Sequence, residues 1–223
     1  MEDELRAAVI MDYQNVHLTG AALFEPYTPK HECLIHPLGY ANQLIQARNK
    51  NQRQGRPAAR LERVFVYRGL PSAAHDPKPY ARNLAQKTEW ERDPRVQVTL
   101  RPLKYRYERT EDGRKATDAT GRAIIVERLE KGVDVLCALA LIREARDPNI
   151  DLVILASQDT DLEPALDEAL LLGTAKVVET ASWYDDVDWR ASKEIRPRKP
   201  ARIWNTRLNV HAFVSAQDRK DYP

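Results

Sequence analysis

The stretch "LVILASQDTDLEPALDEALLLG", Leu152 to Gly173, decides the fold. It opens with five consecutive apolar residues, Leu152 to Ala156. A short apolar run without polar alternation reads as a strand buried on both faces. The run stops at Ser157, and Asp159 and Asp161 follow. A helical pattern then begins, with Pro164 in its first turn, where a missing N–H costs little. Gly173 supplies a stop signal. Strand, acidic turn and helix follow each other within one short segment.

The same alternation recurs along the chain. "RAAVIMD" is a second buried strand, ending at Asp12, and "RVFVYRG" a third, Val64 to Tyr67, closed by Gly69. "VQVTLRPLKYRY" supports another from Val96 to Leu100, resuming beyond Pro102, and "TAKVVETA" one more. "LGYANQLIQARNKNQR" has helical spacing through Leu38, Leu44 and Ile45. "DPKPYARNLAQKTEWER" reads as helix after Pro79. "KGVDVLCALALIREAR" is a helix with Val133, Leu136, Cys137, Ala140 and Leu141 on one stripe, ended by Asp147-Pro148. Tyr27 to Pro37 reads as loop, and "ERTEDGRKATDATGR" as a loop or mobile hairpin. The expectation is an α/β fold with a mostly parallel central sheet flanked by helices, a Rossmann-type three-layer arrangement. Residues 1–180 form the domain. Residues 181–223 form a C-terminal extension that packs on it or trails from it, with Trp183 and Trp189 packing it down.

The chain has 223 residues and a net charge of +2, enough for one α/β core and without a global polycation. Any basic surface must be local. Its two cysteines, Cys33 and Cys137, form no CxxC, so neither a zinc site nor a disulfide framework is expected. A reducing, cytoplasmic setting fits. The opening MEDELRAAVIMDY carries acids where a secretory leader needs Lys or Arg, so no leader is expected, and no membrane partner either.

In parallel sheets the ligand site lies beyond the carboxyl ends of the strands. Two strands here end in acids, one at Asp12 and one at Asp159 and Asp161. A further acid, Asp134, opens the long helix in "KGVD". If these meet at one edge, their mutual repulsion calls for a neutralising cation. Carboxylate oxygens select magnesium or manganese over zinc. The competing reading is that Ser157, Asp159 or Asp161 caps the following helix, and that Asp134 is a first-turn acid favoured by the helix dipole.

Three segments, "VIMDYQN", "EKGVDVLCALALI" and "LVILASQDTDLEPALDEALLLGTAKVV", resemble in order the three motifs of the NYN domain, a group of the PIN-like nucleases. The resemblance runs from about Ala8 to about Val178. It implies a PIN-like fold and a divalent-metal-dependent ribonuclease. It makes Asp12, Asp134, Asp159 and Asp161 metal-binding acids, and Asn15 the polar partner of the first motif. The chain departs from the pattern at Gln158, where glycine is common, a change tolerable if that side chain points outward. Leu162 stands where phenylalanine is common. Ala140 stands where a further aspartate often occurs, so one-metal and two-metal versions both stay open.

The implied reaction is hydrolysis of an RNA phosphodiester with Mg2+ or Mn2+. A bound ion lowers the pKa of a water and stabilises charge on the phosphoryl oxygens. Acids repel a phosphate chain, so cations must stand nearby. Lys131 and the run "RPLKYRYER", with Arg101, Lys104, Arg106 and Arg109, are candidates for contacting single-stranded RNA. Tyr105 and Tyr107 interleave as possible base-stacking rings. The run also fits an edge strand with solvated charges. Arg114 and Lys115 lie in the following polar loop. Ser157 could orient a water or phosphate, or cap the helix. The run Lys193 to Arg202 reads as a solvated tail or a second RNA contact. Asp185, Asp186 and Asp188 read as a solvated turn. His17 reads as an ordinary loop histidine, and His75 and His211 have no evident partners. A homodimer is compatible with the resemblance. A glycine-rich first turn is missing from "MDYQNV", which excludes a dinucleotide oxidoreductase or P-loop enzyme. The remaining alternative is a PIN-like module that binds RNA or protein without cutting.

Overall fold

The computed structural model describes residues 4–51, 57–172, 177–198 and 202–222. The expected helix stop at Gly173 and part of the Lys193 to Arg202 run lie outside these residues. In chain order the elements are β1 (Leu5–Asp12), α1 (Tyr13–Phe24), α2 (Pro37–Lys50), β2 (Ala59–Leu70), α3 (Pro77–Trp90) and β3 (Val96–Pro102). Then come β4 (Lys104–Tyr107), β5 (Ile125–Leu129), α4 (Val133–Arg146), β6 (Leu152–Ala156) and a single 3-10 turn (Thr160–Leu162). The chain closes with α5 (Glu163–Leu171), β7 (Val177–Asp185), β8 (Arg190–Ala191), β9 (Trp204–Leu208) and α6 (Val210–Ser215).

The fold is α/β, with a seven-stranded, mostly parallel sheet flanked by helices. The strands β3, β2, β1, β6, β7 and β9 run parallel in that spatial order, and β8 pairs antiparallel with the end of β7. From β1 the chain winds outward to β2 and β3, then crosses back to β6 and winds the other way. The reversal falls between β1 and β6, which are paired in register from Ala7–Leu152 to Met11–Ala156. This gap at the carboxyl edge is where such sheets bind ligands.

Strand periodicity explains the two-faced core. Ala7, Val9 and Met11 of β1 join Tyr40, Leu44, Trp90, Trp183 and Phe213 on the face covered by α1, α2 and α6. Ala8 and Ile10 join Cys137, Leu141, Leu155 and Leu166 on the face covered by α4 and α5. Every residue of β1 from Ala7 to Asp12 is buried, which is why the run carries no alternation. Trp183, 1% exposed, anchors the first face; its indole N–H donates to the Val16 carbonyl at 2.9 Å. Gly20 sits against Trp183 and Phe213, where an added Cβ would stand 3.0 Å from both rings.

Several elements differ from the sequence expectation. Helix α3 starts at Pro77, two residues before Pro79, because proline is tolerated through the first turn. The expected boundary at residue 180 falls inside β7, and the segment beyond it supplies β9 to the sheet and Phe213 to the core. Trp189 does not pack on the core: it is 80% exposed in the turn that carries Asp186 and Asp188, has φ 56°, and meets only the edge of the Tyr184 ring, 6.4 Å between centroids, among the described aromatic rings. Of the two expected forms of the polar segment after β4, loop or hairpin, the structure has the hairpin: an antiparallel ribbon, β4 pairing β5, extended by the bridges Arg109–Lys115 and Thr117–Ala123. Among the described residues no helix is long and apolar enough to cross a membrane. Cys33 and Cys137 are both buried free thiols.

Candidate metal centre

Asp12 is the last residue of β1 and also the N-cap of α1. Its Oδ1 accepts from the Asn15 N–H at 3.2 Å. Its Oδ2 accepts from Ser157 Oγ at 3.3 Å, across to the end of β6. Ser157 Oγ in turn accepts from the Asp159 N–H at 3.1 Å, and Asp159 Oδ1 accepts from the Asp161 N–H at 3.0 Å. Asn15 Oδ1 accepts from the Gln158 N–H at 2.7 Å. The first and third acidic segments are therefore stitched together by side chains at the switch point.

A cavity of about 430 Å³ opens beside this stitch, lined by Asp12, Asn15, Asp134, Asp159 and Asp161, with Lys131 on the same wall. All four expected acids and the expected asparagine face one space. Glu130, which the sequence reading passed over, lines it too, as does Gln14. Glu130 Oε2 accepts from the Gly69 N–H at 2.5 Å, tying the start of the α4 segment to the end of β2. The available signal was its place in "EKGVD", directly before the lysine. Gly132 takes φ 77° at the N-cap of α4, and the Arg101 guanidinium lies 3.0 Å from where its Cβ would be. Glycine thus meets both a left-handed backbone and a close neighbour. Arg101 Nε donates to the Lys131 carbonyl at 2.5 Å, so Arg101 borders the site.

Asp12 is 6% exposed, and burial pushes its pKa up to about 7; the negative fields of Glu130 and Asp159 add to this, while its hydrogen bonds from Asn15 and Ser157 oppose it. Burial likewise raises Glu130, against the Gly69 hydrogen bond, with Asp134 contributing repulsion. Carboxylates at a shared cavity with a raised pKa form an environment that favours positive charge. The donor set is all hard oxygen, which suits magnesium or manganese in kind. Among the described residues, however, no group of three or more His, Cys, Asp or Glu is gathered tightly enough to hold a metal ion as it stands. A small hard dication commonly uses one or two carboxylates, with waters and substrate phosphate completing its shell. The donor chemistry fits that mode rather than a closed protein cage.

Other expected site residues lie elsewhere. Ser157 is fully buried, its hydroxyl engaged with Asp12 and Asp159, so it braces the turn and does not reach a nucleic-acid strand. On the ribbon, Arg106 pairs with Glu127 at 2.8 Å, and Arg109 donates to the Gly113 carbonyl at 2.7 Å; Lys104 is exposed beside them. Tyr105 and Tyr107 are held at their hydroxyls and pack against His75, with ring centroids 4.9 and 5.6 Å away. Tyr105 Oη donates to Asp76 at 2.9 Å and accepts from the Ser72 N–H at 2.7 Å. Tyr107 Oη lies 2.8 Å from His75 Nε2, and Lys115 Nζ sits 3.7 Å from its ring centroid. These contacts pin the ribbon to the segment before α3, and give His75 a partner. Gln158 does not point outward: it is 8% exposed, and its side-chain amide has no hydrogen-bond partner among the described residues. Ala140 is fully buried in the core against α4's neighbours. His17 is buried, and Nε2 donates to the Lys30 carbonyl at 2.9 Å.

No protein-family model matches the chain. No curated protein matches it either. A solved structure of a protein of unknown function from Vibrio parahaemolyticus is similar to it, with 20% identity over 81% of this chain and 83% of that chain. The TM-score of that match is 0.43.

Proposed function

We propose that this chain is a divalent-metal-dependent ribonuclease of the NYN type, acting on single-stranded RNA in a reducing, cytoplasmic setting. The observation that carries the reading is the single cavity lined by Asp12, Asp134, Asp159 and Asp161 at the switch point. Asp12 and Asp159 would hold Mg2+ or Mn2+ most directly, being the acids fixed at strand ends by backbone and hydroxyl hydrogen bonds. When bound, the ion supplies an acidified water and charge stabilisation at the phosphoryl oxygens. Asp134, Asp161 and Glu130 would bind through water. Asn15 holds the Gln158 backbone and so fixes the spacing of the two strand ends. Lys131 and Arg101 offer positive charge at the rim.

A second reading has its own support. The acids are not drawn into a tight cluster, which is what a PIN-like module that binds RNA or protein without cutting would retain. A homodimer is compatible with both. Incubation of purified protein with labelled single-stranded RNA, in Mn2+, Mg2+ or EDTA, separates them. The nuclease reading expects cutting in metal alone, and at least about 100-fold less cutting by Asp12→Asn, given the size of losses when an electrostatic group is removed from a catalytic site. Binding without cutting by either protein would establish the second reading.

A further inference from the structure

Gln14 and Leu18, one turn apart on α1, line the acidic cavity and also a second cavity of about 570 Å³. The two cavities have opposite character. The second carries Lys30, Arg68, Lys78 and Arg82 on its walls and neither Asp nor Glu. Arg68 follows Tyr67, which pairs in register with Asp12, so it stands one residue beyond the acidic edge on the neighbouring strand.

Arg68 is held in an unusual way. Its guanidinium lies 4.5 Å from the Tyr13 ring centroid and 5.6 Å from that of Trp90. Nη1 donates to Gln86 Oε1 at 2.7 Å, a neutral acceptor rather than a carboxylate. Nε is buried without a hydrogen-bond partner, and so is Nε2 of Gln86, a residue 1% exposed. The contrast is Arg48, buried where Arg68 is half-buried, which meets Glu179 through two hydrogen bonds of 3.0 and 3.1 Å. Glu130 acts on Arg68 through its negative field, but its Oε2 is given to the Gly69 N–H, and no carboxylate hydrogen-bonds the Arg68 guanidinium among the described residues. A half-buried guanidinium held by neutral partners favours an arriving anion. Arginine's planar fork suits phosphate.

We propose that this cavity is a nucleotide subsite. It would take the phosphate of one nucleotide on Arg68 and Gln86, with Lys78 and Arg82 at the rim and Leu34 and Leu103 against sugar and base. Its size suits one nucleotide rather than a length of strand. Placing that nucleotide next to the scissile bond rests on the ribonuclease reading, because α1 separates the two cavities by a single turn.

The test is fluorescence anisotropy of a 3′-fluorescein single-stranded RNA decamer at low salt in EDTA, with adenosine monophosphate as competitor. The Lys78→Gln/Arg82→Gln double variant changes only rim residues, so it keeps the test valid if Arg68→Lys unfolds. The double variant is expected to bind about fivefold or more weakly, with a log–log salt slope shallower by about 1.4, from two lost phosphate contacts. Arg68→Lys, if folded, is expected to weaken binding while keeping the charge. Displacement of RNA by the mononucleotide supports a subsite shared by strand and free nucleotide. Weakening without such displacement supports a strand phosphate alone. Mononucleotide binding without RNA binding overturns the strand placement. Parent-like affinity and salt slope in the double variant overturn the proposal. Cutting is scored on the parent in Mn2+ or Mg2+ and binding in EDTA, so loss of cutting and loss of the subsite are read separately: binding that depends on the rim residues, with no cutting in any metal, would remove the nuclease and leave the subsite.

Discussion

Ser157 Oγ donates to Asp12 Oδ2 at 3.3 Å, joining the ends of two adjacent parallel strands that are 145 residues apart in sequence. The bond holds the one strongly buried carboxylate of the acidic cavity while the same hydroxyl accepts from the Asp159 N–H. One small side chain therefore sets the relative position of the first and third acidic segments.

Ser157→Ala is expected to lower stability by about 1–3 kcal/mol, since it leaves a buried acceptor and a backbone N–H short of partners. It is also expected to raise the Asp12 pKa further, because the lost hydrogen bond favoured the ionised form. Urea denaturation measures the first, and an NMR titration of the Asp12 carboxyl measures the second. An Asp12 pKa below that of the parent would show that Ser157 is not holding this carboxylate.

The raised Asp12 pKa makes metal-free stability depend on pH. Folded Asp12 binds its proton more tightly than the unfolded chain does. Its contribution is therefore full below the ordinary value of 3.8 and is lost as pH rises through about 7. Asp12→Asn does not titrate, so its stability relative to the parent should grow between those limits, by a few kcal/mol at most at about 1.4 kcal/mol per unit of pKa. Chemical denaturation in EDTA at pH 4, 5.5, 7 and 8 checks this. A constant difference between the two proteins would contradict the burial of that charge.

Arg48 and Glu179 form an ion pair in which both side chains are almost fully inaccessible. Glu179→Ala removes one half and leaves a buried guanidinium. The expected loss is about 3–5 kcal/mol. The Arg48→Met/Glu179→Leu pair should recover most of it, because two apolar residues leave no stranded charge. Denaturation midpoints decide. A small effect of Glu179→Ala would mean that Arg48 finds solvent on its own.

The sheet was legible where burial on both faces removes polar residues, as in Ala7 to Met11 and Leu152 to Ala156. Four acids were legible because strand ends and the α4 start carried them. Helix α1 was not read from its residues. It has no acidic first turn, its buried positions include His17 and Gly20, and its cap is Asp12, already spoken for as a site acid. Strand β5, "IVERL", is exposed on a ribbon off the main sheet, so no buried stripe marks it. The C-terminal stretch "ARIWNTRLNVHAF" reads as one more element packed on the domain, but not as the strand β9 followed by α6, because a parallel partner is chosen by long-range pairing with β7 rather than by a local turn. Lys104, Arg106 and Arg109 are a basic run in sequence but solvated or locally paired charges in space.

The most direct measurement is the anomalous electron density of a crystal of the parent protein soaked in Mn2+. The account expects a peak within ligand distance of Asp12 and Asp159 oxygens, absent from an Asp12→Asn crystal treated in the same way. A soaked crystal with the acidic cavity free of anomalous density, or with manganese bound only at surface carboxylates, would contradict it.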